Sequence, residues 1–358
     1  MRVVCVNTGS SSVKLRLLGA DDAILGEHET DAPGSDVDAE ALERAIGDLG
    51  DADAVVHRVV HGGERGAAAR VDAALLEELR ALTPLAPLHQ PKALAAVAAA
   101  ARARPQLPVV ACFDTAFHAG LPPEAATYAL PAEWRERFGL RRFGFHGLSH
   151  SYAARRAAEL LSLRAGARIV TCHLGAGASL AAVRDGASVD TTMGFTPLEG
   201  IVMATRSGSV DPGLLLWLVR QGIAPEELHD ALERRSGLLG LAGTADMREL
   251  LVRDDHDARL ALAVYLHRLA AAAAAMAAAL GGIDALVFTG GVGENAAAVR
   301  SGAAERLELL GVALDPAANA AAAGDVDVSA PGARVRSAVV AAREDLEMAR
   351  QARALLGA

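Results

Sequence analysis

The sequence predicts an α/β protein built from a duplicated lobe, and three observations carry that reading. Apolar strand-like runs alternate with helical patterns along the chain. Four of those runs, 53–64, 107–118, 167–183 and 284–295, end in clusters of glycine, acid or histidine. Active sites of α/β proteins collect at such strand ends. The units also repeat in order. "RVVCVNTGSSSVKL" (2–15) is answered by "RIVTCHLGAGASLAAV" (168–183), and "DAVVHRVVHGGE" (53–64) by "DALVFTGGVGEN" (284–295). That order places one glycine-rich hairpin in each lobe, facing a shared cleft. Chance similarity between short strand–turn units is the rival, and two pairs in one order favour duplication.

The first element is a hairpin. "RVVCV" and "VKLRLL" are rich in β-branched and large apolar residues and read as strands. Asn7, Thr8 and Gly9 make the turn between them, because glycine and asparagine tolerate unusual backbone angles. Small hydroxyls, backbone N–H groups and Lys14 at such a bend suit an anion. A polar, solvated hairpin tip is the bland alternative. Helices are predicted near 72–82, 91–103, 149–161, 212–220, 225–235, 257–280, 296–310 and 343–356. "RERFGLRRFGFHGLSHS", with its glycines and histidines, reads as a loop ahead of the helix at 149.

Composition narrows the function. The 358 residues suffice for two or more domains, and 52% hydrophobic against 22% charged residues allows sizeable cores. The net charge of −9, from 35 basic and 44 acidic side chains, argues against a general nucleic-acid binder. Aromatic residues at 3% also weaken any base-stacking role. Cys5, Cys112 and Cys172 sit in apolar runs without metal-ligand spacing, which points to reduced, buried thiols and a cytoplasmic protein. No targeting segment is recognised, and the apolar stretch 269–280 is too short to span a bilayer, so no membrane role is expected.

Polar residues punctuate the strand ends. Arg58, His89, Asp114, His146, His173 and Arg206 all lie beside glycine or proline bends. A lone charge in an apolar run is costly to bury unless it is paired or functional. An internal Arg–Asp ion pair would explain Arg58 and Asp114 with no chemistry at all. The number of such sites favours phosphoryl transfer, in which arginine and Mg²⁺ stabilise charge on the transferred group and carboxylates hold the metal. A zinc hydrolase is the metal-based rival, but the histidines lack H-E-x-x-H spacing. No G-x-x-x-x-G-K-[ST] occurs, and no complete G-x-G-x-x-G follows a strand.

Together these segments resemble the acetate kinase family of short-chain carboxylate kinases. The similarity rests on "VNTGSSSVKL", "HRVVHGGE", "APLHQP", "FDTAFH", "RRFGFHGLSH", "TCHLGAGAS", "DTTMGFTPLEG", "TRSGSVDPG", "SGLLG", "ADMRE" and "TGGVGEN", in family order over nearly the whole chain. The resemblance implies duplicated ribonuclease-H-like lobes of the actin-like ATPase kind with an interdomain active-site cleft. It implies an N-terminal lobe of 1–117 plus 345–358, and a C-terminal lobe of 118–344 that binds nucleotide and forms the dimer interface. The implied reaction is reversible in-line transfer between ATP and acetate, giving ADP and acetyl phosphate. Mg²⁺ would be the cofactor, with Mn²⁺ as a substitute, in a cytoplasmic homodimer.

Residue by residue, the resemblance makes Asp114, His146 and Arg206 catalytic. It gives Arg58 and His89 to the carboxylate or acyl group, and makes Val60, Leu88, Phe145 and Pro197 the small apolar wall around the substrate methyl. Asn7 and Glu344 belong to the metal. Lys14, the loop His173, Leu174, Gly175, Ala176 and Gly177, the stretch Asp246, Met247 and Arg248, and the loop Gly291, Val292, Gly293, Glu294 and Asn295 belong to the nucleotide. Strand alternation would put Val60 on the same face as Arg58. Three departures stand out. Ala176 replaces an asparagine of the phosphate loop, "HQP" replaces "HNP", and Arg343 replaces an asparagine before Glu344. The chain is also shorter than typical members. A propionate or broader short-chain carboxylate kinase is the enzymatic alternative, and a nucleotide-dependent binding module the non-enzymatic one.

Overall fold

The structure is a computed structural model that describes residues 1–9, 12–31, 38–87 and 89–357. The chain forms two compact units. The first comprises Met1–Gly120, Phe145–Tyr152 and Arg343–Ala358, and the second Leu121–Gly144 and Ala153–Ala342. This division differs from the expected one at 118–120, 145–152 and 343–344, which pack with the first unit.

In the first unit the expected hairpin forms between β1 (Val3–Thr8) and β2 (Ser12–Leu18), with Asn7 opposite Lys14. β3 (Ile24–Asp31) continues it antiparallel. β4 (Ala54–Val59) and β6 (Val109–Phe113) then run parallel to β1, and short β5 (Ala69–Arg70) pairs antiparallel with β6. The order is β3-β2-β1-β4-β6-β5. Alternation assigns the faces of β1. Val4 and Val6 pack with Ile46, Ala96 and Ala100. Val3 and Cys5 pack with Leu148, Met348 and Ala352. Helices Ala39–Asp48 and Gln90–Ala103 therefore cover one face, and helix Glu344–Leu356 the other.

The second unit repeats the plan. β7 (Arg168–Leu174), β8 (Ala178–Arg184) and β9 (Ala187–Thr191) are antiparallel. β10 (Ala285–Thr289) and β12 (Arg336–Val339) extend the sheet parallel to β7, and β11 (Val326–Asp327) pairs antiparallel with β12. The order, β9-β8-β7-β10-β12-β11, is that of the first sheet, including its sixth strand. The duplicated sequence pairs fall on matching strands: β1–β2 with β7–β8, and β4 with β10.

Helix His256–Ala279 is long and apolar enough, by length and composition, to cross a membrane. Here it packs on β7, β8, β9 and helix Gly237–Ala242, as a core helix does, its alanines permitting close approach. The stretch expected to be a loop, 135–151, instead begins inside helix Ala132–Phe138, which stops at left-handed Gly139 (φ 59°).

Candidate functional site

Four side chains of the first unit meet at the C-terminal ends of β1, β4 and β6. The Arg58 Nε donates to both Asp114 carboxylate oxygens at 3.0 and 3.1 Å, and its Nη2 donates to Oδ2 at 2.6 Å. Its Nη1 donates to Asn7 Oδ1 at 3.2 Å and to Glu344 Oε2 at 3.4 Å. The Asn7 amide donates to the same Glu344 oxygen at 2.6 Å. Asp114 is 1% exposed. Burial pushes its carboxyl above the ordinary carboxylate range, against the pull of Arg58. Burial works against the charge of Arg58 too, but Asp114 and Glu344 outweigh it and raise Arg58 further. The internal ion pair weighed for Arg58 and Asp114 is therefore real, and it sits inside a larger polar network at the strand ends.

Residues 145–147 wrap onto this cluster. His146 is left-handed (φ 55°), a costly conformation for a non-glycine residue. Its N–H donates to the Asp114 carboxyl, and the Gly147 N–H donates to the Asp114 carbonyl at 3.0 Å. A Cβ on Gly147 would collide with that carbonyl, so only glycine lets helix Gly147–Leu160 start here. Phe145 is buried and meets the His61 ring edge-on at 5.6 Å. Val60 is also buried, but β4 ends at Val59, so strand alternation does not reach it. His89 stands just before helix Gln90–Ala103. Leu88 lies outside the described residues. Lys14 is half-exposed and pairs with Glu29 at 3.2 Å on the sheet surface.

Two of the departures acquire structural roles. Gln90 is fully buried, donates to the carbonyls of His61 (2.9 Å) and Leu79 (3.1 Å), and accepts from the His61 N–H (3.2 Å). It pins the chain just past β4. Arg343 turns away to Asp345, bonding it through Nε (3.0 Å) and Nη2 (2.9 Å).

In the second unit, Arg206 is nearly buried and pairs with Glu233 at 3.2 Å, while its Nη1 donates to the Pro197 carbonyl at 3.2 Å. Burial disfavours its charge and Glu233 offsets part of that. The tight hairpin between β7 and β8 carries His173, Leu174, Gly175, Ala176 and Gly177, closed by a bond from Gly175 N–H to Gly177 carbonyl at 2.9 Å. Ala176 is exposed at its tip. Gly291, Val292, Gly293, Glu294 and Asn295 form one helical turn directly after β10, which pairs with β7. Gly290 (φ 80°) allows that turn to approach the Leu174 carbonyl. Asp246 caps helix Met247–Val252 and pairs with exposed Arg248, which together with the cap holds its carboxyl down at about 2. Met247 is buried.

Several supporting residues escaped the sequence reading. Arg300, fully buried, donates to the carbonyls of Gly293 (2.9 Å) and Glu294 (2.8 Å) and to Asn319. Tyr128 and Arg142 both donate to Glu199, at 2.6 and 2.8 Å, and Arg142 also holds the carbonyls of Thr192 and Met193. Lys92, buried, donates to the Gly9 carbonyl beneath the first hairpin at 3.0 Å. Arg142 and Lys92 gain meaning only from contact with segments at least 50 positions away. The one available signal was an arginine or lysine amid small apolar residues, as in "NAAAVRSG".

The oxygens of Asn7, Asp114 and Glu344 all accept from the Arg58 guanidinium, and oxygens of this kind are the hard donors that a divalent cation such as Mg²⁺ takes. No group of three or more His, Cys, Asp or Glu side chains is arranged for a metal among the described residues.

Duplicated sheets of one strand order, with buried arginine–carboxylate pairs at one set of strand ends and glycine-rich turns at the other, define the class: an α/β protein of two like units. Residues 27–350 match the model of the acetokinase family. An acetate kinase of Deinococcus deserti is 46% identical, covering 100% of this chain and 98% of that protein. The crystal structure of Porphyromonas gingivalis acetate kinase superposes with a TM-score of 0.89 at 34% identity, covering 99% of both chains. A propionate kinase structure from Francisella tularensis gives 0.89 at 34%, covering 98% of both. The chain belongs to the acetokinase family.

Proposed function

We propose that this protein is an acetate kinase that moves a phosphoryl group reversibly between ATP and acetate through the Arg58–Asp114–Glu344–Asn7 cluster. That buried cluster is the observation that carries the assignment of roles. A carboxylate oxygen of acetate attacks the γ-phosphorus, the bond from that phosphorus to the β–γ bridging oxygen breaks, and ADP leaves with the electron pair. Arg58 commits Nε, Nη1 and one Nη2 proton to its neighbours, which leaves an Nη2 proton for the incoming carboxylate. Asp114 keeps Arg58 charged and aimed. His146 and Arg206 stabilise charge on the transferring group, and His89 attends the acyl end. Asn7 and Glu344 hold Mg²⁺, which would neutralise charge on the nucleotide oxygens. The β7–β8 hairpin and the turn Gly291–Asn295 supply backbone N–H groups for the nucleotide phosphates, with Lys14 and the 246–248 stretch as further nucleotide contacts. A hydroxamate assay with ATP, acetate and Mg²⁺ tests the reading. Acyl phosphate should form, and should vanish in excess EDTA. Its absence in the complete mixture would remove the assignment.

The likeness to a propionate kinase structure favours a second reading, a wider short-chain specificity. In the first unit Val60 and Phe145 are both bulky and buried, with no glycine or alanine between them to make room. Overpacking such a pocket costs typically about 1–3 kcal/mol. Acetate should therefore exceed propionate in kcat/KM, with butyrate poor. A steady rise from acetate to butyrate would favour the longer-chain reading instead.

We further propose a homodimer. Helix Pro212–Arg220 has no buried residue yet exposes Leu214, Leu216, Trp217 and Val219, a patch that water penalises. Light scattering at twice the chain mass is the expected result. The three buried, unpaired thiols support a cytoplasmic setting.

A further inference from the structure

Asp114 and the turn around His146 are joined by more than the bonds already described. His118 stands four residues after Asp114, fully buried, and its Nε2 lies 3.0 Å from the Phe145 carbonyl. A carbonyl only accepts, so Nε2 carries the proton and donates it. The C=O of Phe145 and the N–H of His146 belong to one peptide plane and point in opposite directions, since the chain has no cis peptide. That plane is thus gripped at both ends: His118 takes its oxygen, and the Asp114 carboxyl takes its N–H.

The grip opposes a definite alternative. Flipping the plane would bring His146 from φ 55° toward the negative φ that non-glycine residues prefer. The same flip would take the N–H off Asp114 and turn the Phe145 carbonyl toward that carboxyl instead. His118 is in turn wedged by edge-on rings, Phe117 at 5.3 Å and His150 at 5.8 Å. His150 meets His146 at 6.5 Å and donates its backbone N–H to the His146 carbonyl at 2.9 Å.

We propose that His118 is a positioning residue for phosphoryl transfer, whose Nε2–H locks the Phe145–His146 peptide so that its N–H, and not its carbonyl, faces the Asp114 carboxyl. This rests on the roles given above to Asp114 and His146.

Three variants test it. His118→Gln can place an amide N–H near the position of Nε2, His118→Asn falls one methylene short, and His118→Leu has no donor. The Leu and Asn variants should lose about 10²-fold in kcat, the scale of an ångström misplacement. Their KM for ATP should stay within about twofold, because the fault lies in the reacting geometry. His118→Gln should recover most of kcat. Equal kcat in the Gln and Asn variants, both folded by circular dichroism, would overturn the proposal, and that comparison stands even where the Leu variant does not fold. A wild-type protein that forms no hydroxamate would instead remove the acetate kinase reading and this proposal with it.

Discussion

The two sheets share one strand order and differ in what they place at the same strand ends. At the C-terminal ends of β1, β4 and β6 the first unit sets Asn7, Arg58 and Asp114, joined by Glu344. After β7 and β10 the second unit sets a glycine hairpin and a glycine-led helical turn. One copy holds buried charge and the other holds backbone. A transferred phosphoryl group needs directional, ionised partners, whereas a polyphosphate can be cradled by N–H groups that carry no side-chain desolvation cost. On the proposed roles one topology would serve both, because ligands gather at the C-terminal strand ends of such sheets.

The strongest way to break this contrast is Asp114→Asn. Losing one preorganised electrostatic group costs about 3–4 kcal/mol of barrier, or roughly 10²–10³ in kcat. Because Asp114 is the ion partner of Arg58, the melting temperature should fall as well, as when a buried pair is broken for about 3–5 kcal/mol. Kinetics therefore decide. A destabilised variant with unchanged kcat would reduce the first cluster to a structural ion pair.

The two arginines come next. Arg58→Ala should act mainly on KM for acetate, and Arg206→Ala mainly on kcat. Matching kinetic profiles would erase the division of roles. Arg206→Ala also leaves Glu233 buried without its ion partner, so its thermal melt should be lower than that of the wild type.

The units should also differ in acid sensitivity. His57 on β4 is buried, and neither ring nitrogen has a hydrogen-bond partner among the described residues. Burial pulls it from 6.5 down to about 3, and pulls His61 down to about 4. Both are neutral when folded, while the unfolded chain binds their protons first. Stability is thus full above pH 6.5 and falls as pH drops toward those values. The slope is about 1.4 kcal/mol per pH unit for each histidine. Denaturant melts across that window should show it, and His57→Phe should flatten it. An unchanged slope would move the acid sensitivity elsewhere.

The smallest effect is expected at Ala176, exposed at the hairpin tip. A side-chain hydrogen bond to a charged group is worth roughly 1.5 kcal/mol at the low end, near tenfold in affinity. Ala176→Asn should lower KM for ATP by up to that factor. An unchanged value would mean that the backbone cradle is already complete.

Much of the fold was legible because its signals are local. Helices predicted at 212–220 and 343–356 appear at Pro212–Arg220 and Glu344–Leu356, since their caps and prolines stand in the sequence. The strands β3, β5, β9, β11 and β12 were missed. Each is short, polar or at an edge, where pairing with a neighbour, not composition, decides. The site divides in the same way. Arg58 and Asp114 could be singled out as charges in apolar runs, but their bidentate pairing could not be read.

The sequence by itself determined the duplicated strand–glycine units, the family, and the list of polar residues at strand ends, because each depends on neighbours a few positions away. Only the tertiary structure decided which of those residues touch. Arg58 meets Glu344 across 286 positions, and Lys92 reaches the Gly9 carbonyl across 83. The left-handed turn at His146 exists because Asp114 and His118 hold it from a different strand end. Such contacts come from strand order and helix packing, and from the need of every buried charge and backbone group for a partner. No local pattern encodes them.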